Sequence, residues 1–157
     1  MYRKPFALFA LVLAAACAGP QAPQANNLPG SIKPDIVAEA RAFMKDMADE
    51  MMRGESGSLA SRYHPNGVKT FAKGVQGFKS WEEIQERFRH WRPSTRVTWD
   101  NLVFEPTGPD SILVAGRLRT REHGARNSYS LIMLLKRRDG ELRIHFISQD
   151  YLGGHCC

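Results

Sequence analysis

The sequence predicts an α+β domain, and three observations carry that expectation. Apolar residues recur every three or four positions between Pro34 and Arg92, and from Thr95 onward the repeat falls to two. The connections beyond that point, PTGPD, EHGA and RRDG, are short turn sequences. Strands joined by short turns are antiparallel neighbours, and helices that precede such a run pack on one side of its sheet.

The first helix is expected from about Pro34 to Arg53. Ile36, Ala40, Phe43, Met44, Met47 and Met51 share a face, Pro34 suits a first turn, and Gly54 and Gly57 end the run. Thioethers can bind soft metals, but methionine at this spacing reads as gap-filling core. The stretch SLASRYHPNGVKTF holds a short turn of helix, a Pro-Asn-Gly turn and a brief strand. Ser80-Trp81-Glu82-Glu83 is a capping box. The helix it opens carries Trp81, Ile84, Phe88 and Trp91 on one side, with acids early and arginines late, until Pro93 stops it. Four strands follow, at about Arg96–Glu105, Ser111–Arg121, Asn127–Lys136 and Glu141–Gln149. With Asp139-Gly140 as the last turn, Leu131, Met133 and Leu135 share a core face with Leu142, Ile144, Phe146 and Ser148.

The N-terminus reads as an address. Phe6–Ala16 is an apolar run of eleven residues behind Arg3 and Lys4, too short for a transmembrane helix of about 20. A basic head, a short apolar stretch and small residues are the layout of a secretory signal. Leu13-Ala14-Ala15-Ala16-Cys17 resembles the lipobox of bacterial lipoproteins, with Ala14 where leucine is usual, which implies a diacylglycerol on Cys17 after removal of residues 1–16. Cleavage after Ala18, with plain secretion, is the alternative. Ala18 is not the aspartate that often retains such proteins at the inner membrane, so the outer membrane is favoured. Residues 17–33, with Pro20, Pro23 and Pro29 and almost no large apolar group, form a flexible tether. The 157-residue chain then leaves one domain, 34–152, and a disordered tail, 153–157. A net charge of +6 points to acidic partners, and three cysteines, one at the lipobox and two at the end, build no disulfide framework.

The order of helix, short helix, YHPNGV (Tyr63–Val68), GFKSWEEIQERF (Gly77–Phe88), SILVAGRLR (Ser111–Arg119) and DGELRIHFIS (Asp139–Ser148) resembles the nuclear transport factor 2-like fold, in particular its SnoaL-like branch. Leu142 stands where the last motif usually has tryptophan. The resemblance implies a strongly bent antiparallel sheet wrapped around the N-terminal helices as a cone with a pocket inside. Its members include isomerases, cyclases, hydrolases and non-catalytic binders, so fold does not choose the chemistry.

Enzymes of this fold place a carboxylate on pocket-facing strands, and proton abstraction needs such a base beside an apolar wall. Here the inferred concave face is almost wholly apolar. Asp150, at its end with Tyr129 and Tyr63 as candidate partners, and Asp100 beside Trp99 are the only candidate bases. Tyr63, Trp81, Phe88, Trp91, Trp99, Tyr129, Met133, Phe146 and Ser148 are expected to line the pocket. By parity His145 belongs to the outer face with Arg143. The consecutive His155, Cys156 and Cys157 cannot wrap a metal ion unaided, and no cofactor motif appears. Arg117, Arg119, Arg121, Lys136 and Arg143 fall in one parity class and are expected to form one convex patch. That patch is either a solvated, edge-protecting charge row or a surface for anionic lipid or glycan. Aromatics are not interleaved with it, against single-stranded nucleic acid. The sequence thus points to an exported, lipid-anchored domain binding a small apolar or amphipathic molecule. An isomerase or hydrolase of the same fold, and a module that docks a partner or a second copy, remain the alternatives.

Overall fold

A computed structural model describes residues 35–122 and 124–156. The segments expected as signal sequence and tether, with Cys17, lie outside the described residues. Three helices, α1 (Asp35–Arg53), α2 (Ser56–Ser61) and α3 (Trp81–Arg89), accompany six strands: β1 (Val68–Ala72), β2 (Val75–Lys79), β3 (Arg96–Gly108), β4 (Ser111–Glu122), β5 (Ala125–Arg138) and β6 (Glu141–Cys156). They form one curved, unclosed sheet in the order β2-β1-β6-β5-β4-β3. No helix among the described residues is long and apolar enough to cross a membrane.

Local chemistry explains most of these elements. The methionine-rich stripe of α1 buries Ile36, Ala40, Phe43, Met44, Met47 and Met51, and α1 packs against β3, β4 and β6. Each large apolar side chain taken out of water contributes about 1.5–3 kcal/mol. Arg137 on β5 ties α1 down through Glu39 at 2.8 Å. The capping box of α3 is formed: Ser80 accepts from the Glu83 backbone N–H, and the Glu83 carboxylate accepts from the Ser80 N–H at 2.8 Å. In the HPNG turn, Gly67 has φ +92° and lies under the Phe78 ring, where a Cβ would have no room.

Several expectations are corrected. The sheet is not wholly antiparallel, because β1 pairs with β6 in parallel through Lys69–Phe146, Thr70–Ile147 and Phe71–Ser148. A second edge strand, β2, hairpins with β1; its exposed residues show no alternation that would mark it in the sequence. Residues 153–156, expected as a disordered tail, continue β6 as far as the Ala125–Cys156 pair.

The last hairpin departs from strict alternation. Leu135 faces Ile144, but Leu134 faces Phe146, so His145 is the extra residue of a β-bulge. The bulge reverses the parity of everything after it. Ile147, not Phe146, joins Met133 on the core face, while Phe146 and Ser148 turn to the outer face opposite Leu134 and Ile132. Ile112, Val114, Leu118, Leu131, Met133, Leu135 and Ile144 are buried as the concave wall, as expected.

Candidate functional site

Inside the cone, α3 faces the concave side of the sheet. Phe88 lies 5.5 Å from the Tyr63 ring and 5.9 Å from Trp91, both tilted. Met133 is fully buried, and Trp81, Trp91, Trp99 and Tyr129 pack against the core while partly exposed. Two of the tryptophans are tied to the backbone of α1: Trp99 Nε1 donates to the Met44 carbonyl at 2.8 Å, and Trp91 Nε1 to that of Met51 at 3.3 Å. Seven of the nine expected pocket residues therefore meet on one side of the sheet. Phe146 and Ser148 do not, because of the bulge at His145.

The polar groups of this interior are few. Burial raises the pKa of both Tyr63 and Tyr129; at Tyr129 the Glu122 carboxylate and Tyr151 add to the rise, and the Arg87 cation on α3 partly offsets both shifts. Arg87 itself is exposed on α3. Tyr129 also packs on Tyr151, its cross-strand partner, at 5.4 Å. Among the described residues the one buried carboxylate is Glu50. It is neutralised by Arg62 through two hydrogen bonds of 2.7 and 2.9 Å, and the Arg62 guanidinium in turn covers the Phe43 ring.

Both candidate bases lie on the outer face. One cross-strand row runs Asp100, Arg117, Ser130 and Asp150 over β3, β4, β5 and β6. Asp100 Oδ2 sits 2.6 Å from Arg119 Nε, and Asp150 accepts from the Lys73 backbone N–H at 3.1 Å. Neither carboxylate reaches the apolar interior.

His145 is not a plain surface histidine. The bulge turns its ring half-buried against His64, with centroids 4.2 Å apart, and its Nε2 is buried without a hydrogen-bond partner. Burial first, then the charges of His64, Lys136 and Arg138, lower its pKa to about 4. His64 is also lowered, by burial and then by Arg138 and Arg143. Its Nδ1 faces the Asn66 N–H and its Nε2 faces an Arg138 N–H at 2.7 Å; the neutral ring accepts from one of these donors, and a second ring proton is disfavoured.

The expected single basic patch is two clusters. Arg117, Arg119 and Arg121 crowd one end of the outer face, where the register adds Arg96 and Arg126. Lys136 and Arg143 pair at the other end. Between them run the rows Val103–Ala115–Ile132–Ser148 and Glu105–Leu113–Leu134–Phe146. Arg96 and Arg126 could have been found by applying the β3–β4 and β4–β5 registers to Arg121. Among the described residues no group of acids, histidines and cysteines is arranged to hold a metal ion.

Neither a protein-family model nor a curated protein matches the sequence. Solved structures do match the fold. An NTF-2 like protein of unknown function from Shewanella oneidensis superposes with a TM-score of 0.65 at 12% identity, over 73% of this chain and 98% of that one. A putative scytalone dehydratase from Novosphingobium aromaticivorans gives 0.63 at 8%, over 78% and 87%. A putative ketosteroid isomerase from Parabacteroides distasonis gives 0.62 at 10%, over 78% and 92%. At these identities the likeness speaks for architecture, and the curved six-stranded sheet packed on N-terminal helices is the nuclear transport factor 2-like fold.

Proposed function

We propose that the chain is an exported, lipid-anchored module that binds a small amphipathic molecule inside the cone. The observation carrying this reading is the partly exposed aromatic wall on the inner side of the sheet, Trp81, Trp91, Trp99 and Tyr129, packed beside the buried Tyr63 and Phe88, with the Arg87 charge felt at both tyrosines. An apolar wall with a few convergent polar groups is the usual composition of a small-molecule site. The Arg87 charge suits a ligand with an anionic head, and the partly exposed Trp81, Trp91 and Trp99 suit its apolar body. The placement of Asp100 and Asp150 on the outer face supports binding over proton abstraction. The neighbours bearing enzyme names support the fold's capacity to hold small molecules, and no more. Export and anchoring rest on the lipobox-like sequence ending at Cys17.

Titration with neutral N-phenyl-1-naphthylamine tests the site, since binding beside Trp91 and Trp99 quenches tryptophan emission. A Kd on the order of micromolar is expected. Laurate should displace the probe. Arg87→Gln should weaken laurate about tenfold, equivalent to about 1.4 kcal/mol, while leaving the neutral probe unchanged. A flat titration with the probe ends this reading.

A further inference from the structure

On the outer face, remote from the interior tyrosines, a cleft of about 680 Å³ gathers Arg96, Arg117, Arg119, Arg121 and Arg126 around one carboxylate, Asp100. The register shows how. Arg96, Arg121 and Arg126 stand directly opposite one another on β3, β4 and β5. In the next row Arg119 lies between Thr98 and Ser128, and beyond it Arg117 lies between Asp100 and Ser130. The end of β6, at Leu152, Gly153 and Gly154, closes one side. Asp100 engages Arg119 at 2.6 Å. Among the described residues the other four arginines make no ion pair.

This arrangement is costly as it stands. Like charges directly opposite on neighbouring strands destabilise a sheet, and a surface built only for solubility intersperses the two signs. Three arginines in one row with no acid between them are held together most favourably by a counter-ion. Guanidinium forks match the oxygens of phosphate bidentately, and the Thr98 and Ser128 hydroxyls add donors between the forks. The cleft differs from the Lys136–Arg143 end, where Arg143 is occupied by Glu141 at 2.8 Å and by the Ser61 carbonyl. We propose that the arginine cleft is a binding site for a phosphate-type oxyanion carrying at least two negative charges, either free or as the phosphomonoester of a lipid headgroup.

Thermal unfolding of the purified full chain at low ionic strength tests this, with 1 mM inorganic pyrophosphate or glycerol 3-phosphate as the probe. A ligand that binds only the folded state raises the melting temperature. The expected result is a rise of several degrees over sodium chloride at matched ionic strength. The double variant Arg121→Gln/Arg126→Gln should lose it, and Lys136→Gln/Arg143→Gln should keep it. A larger shift with pyrophosphate identifies a free diphosphate-type ligand, and a larger one with glycerol 3-phosphate identifies a headgroup-type monoester. If the first pair fails to fold, calorimetric titration of Arg96→Gln decides the matter, with binding expected at least fivefold weaker than wild type. No shift beyond that of chloride, or equal losses in both pairs, overturns the proposal. The neutral-probe titration of the interior does not depend on this outcome.

Discussion

His145 shows how one residue can reset a strand. As the extra residue of the bulge it is pressed against His64, and burial with the neighbouring cations Lys136 and Arg138 brings its pKa to about 4. A base whose pKa is depressed on folding leaves stability intact above its unfolded value of about 6.5, and that stability is lost as pH falls toward the folded value. Urea unfolding at pH 7.5, 5.5 and 4.5 should therefore show a decline in the acid range that is shallower in His145→Gln. An identical decline in the variant would assign the acid sensitivity elsewhere. A second residue-scale case is Glu50, whose carboxylate is held by Arg62 with both side chains largely buried. Glu50→Gln leaves the guanidinium uncompensated, and a loss of about 3 kcal/mol is expected from urea midpoints. A loss under 1 kcal/mol would mean that water reaches the pair.

At the scale of elements, α3 depends on its ends. The Ser80 hydroxyl and the Glu83 carboxylate satisfy each other's backbone N–H, and this interaction with Lys79 holds the Glu83 pKa low. Ser80→Ala should cost about 1 kcal/mol, read as a lower urea midpoint at unchanged slope. The β3–β4 pair depends on a glycine. Between Asp100 and Val103 the register slips, Asn101 adopts φ 53°, and the bulged backbone closes over Gly116. A Cβ at Gly116 would come within 2.8 Å of Leu102 Cδ2 and 3.0 Å of the Asp100 carbonyl. Gly116→Ala should cost about 1–3 kcal/mol as an overpacked site. It should also disturb Asp100 and the arginines beside it, which the pyrophosphate-dependent melting shift would register.

For the whole molecule, an anchor and the two faces of the sheet divide the work in the proposed function. An acylated Cys17 would hold the domain at a membrane through residues 17–33, leaving the interior site and the arginine cleft free to face solvent or lipid. Cys17→Ser removes the sulfur on which the lipid thioether is built, so the product should move from the detergent phase to the aqueous phase, or remain uncleaved. Unchanged partitioning would exclude this anchor.

The sequence alone determined the class of fold, the extent of α1, the start of α3, the capping box and the concave apolar wall from Ile112 to Ile144, but it ran α3 on through Trp91 to Pro93, whereas the helix ends at Arg89. Those features are local: periodicity, cap residues and turn chemistry act within a few positions of the chain. It also identified Tyr63, Phe88, Trp91, Tyr129 and Met133 as inward-facing. What it could not fix was anything downstream of an irregularity. A single inserted residue at His145 sent Phe146 and Ser148 to the other face, because side-chain direction in a strand has a period of two and one extra residue inverts it. Asp100 and Asp150 likewise became the ends of an outer row through register, and Arg96 and Arg126 joined Arg121 across strand boundaries far apart in the chain. Such neighbours are chosen by pairing between strands, and the energy of that pairing comes from packing against the helices, which only the assembled tertiary structure supplies.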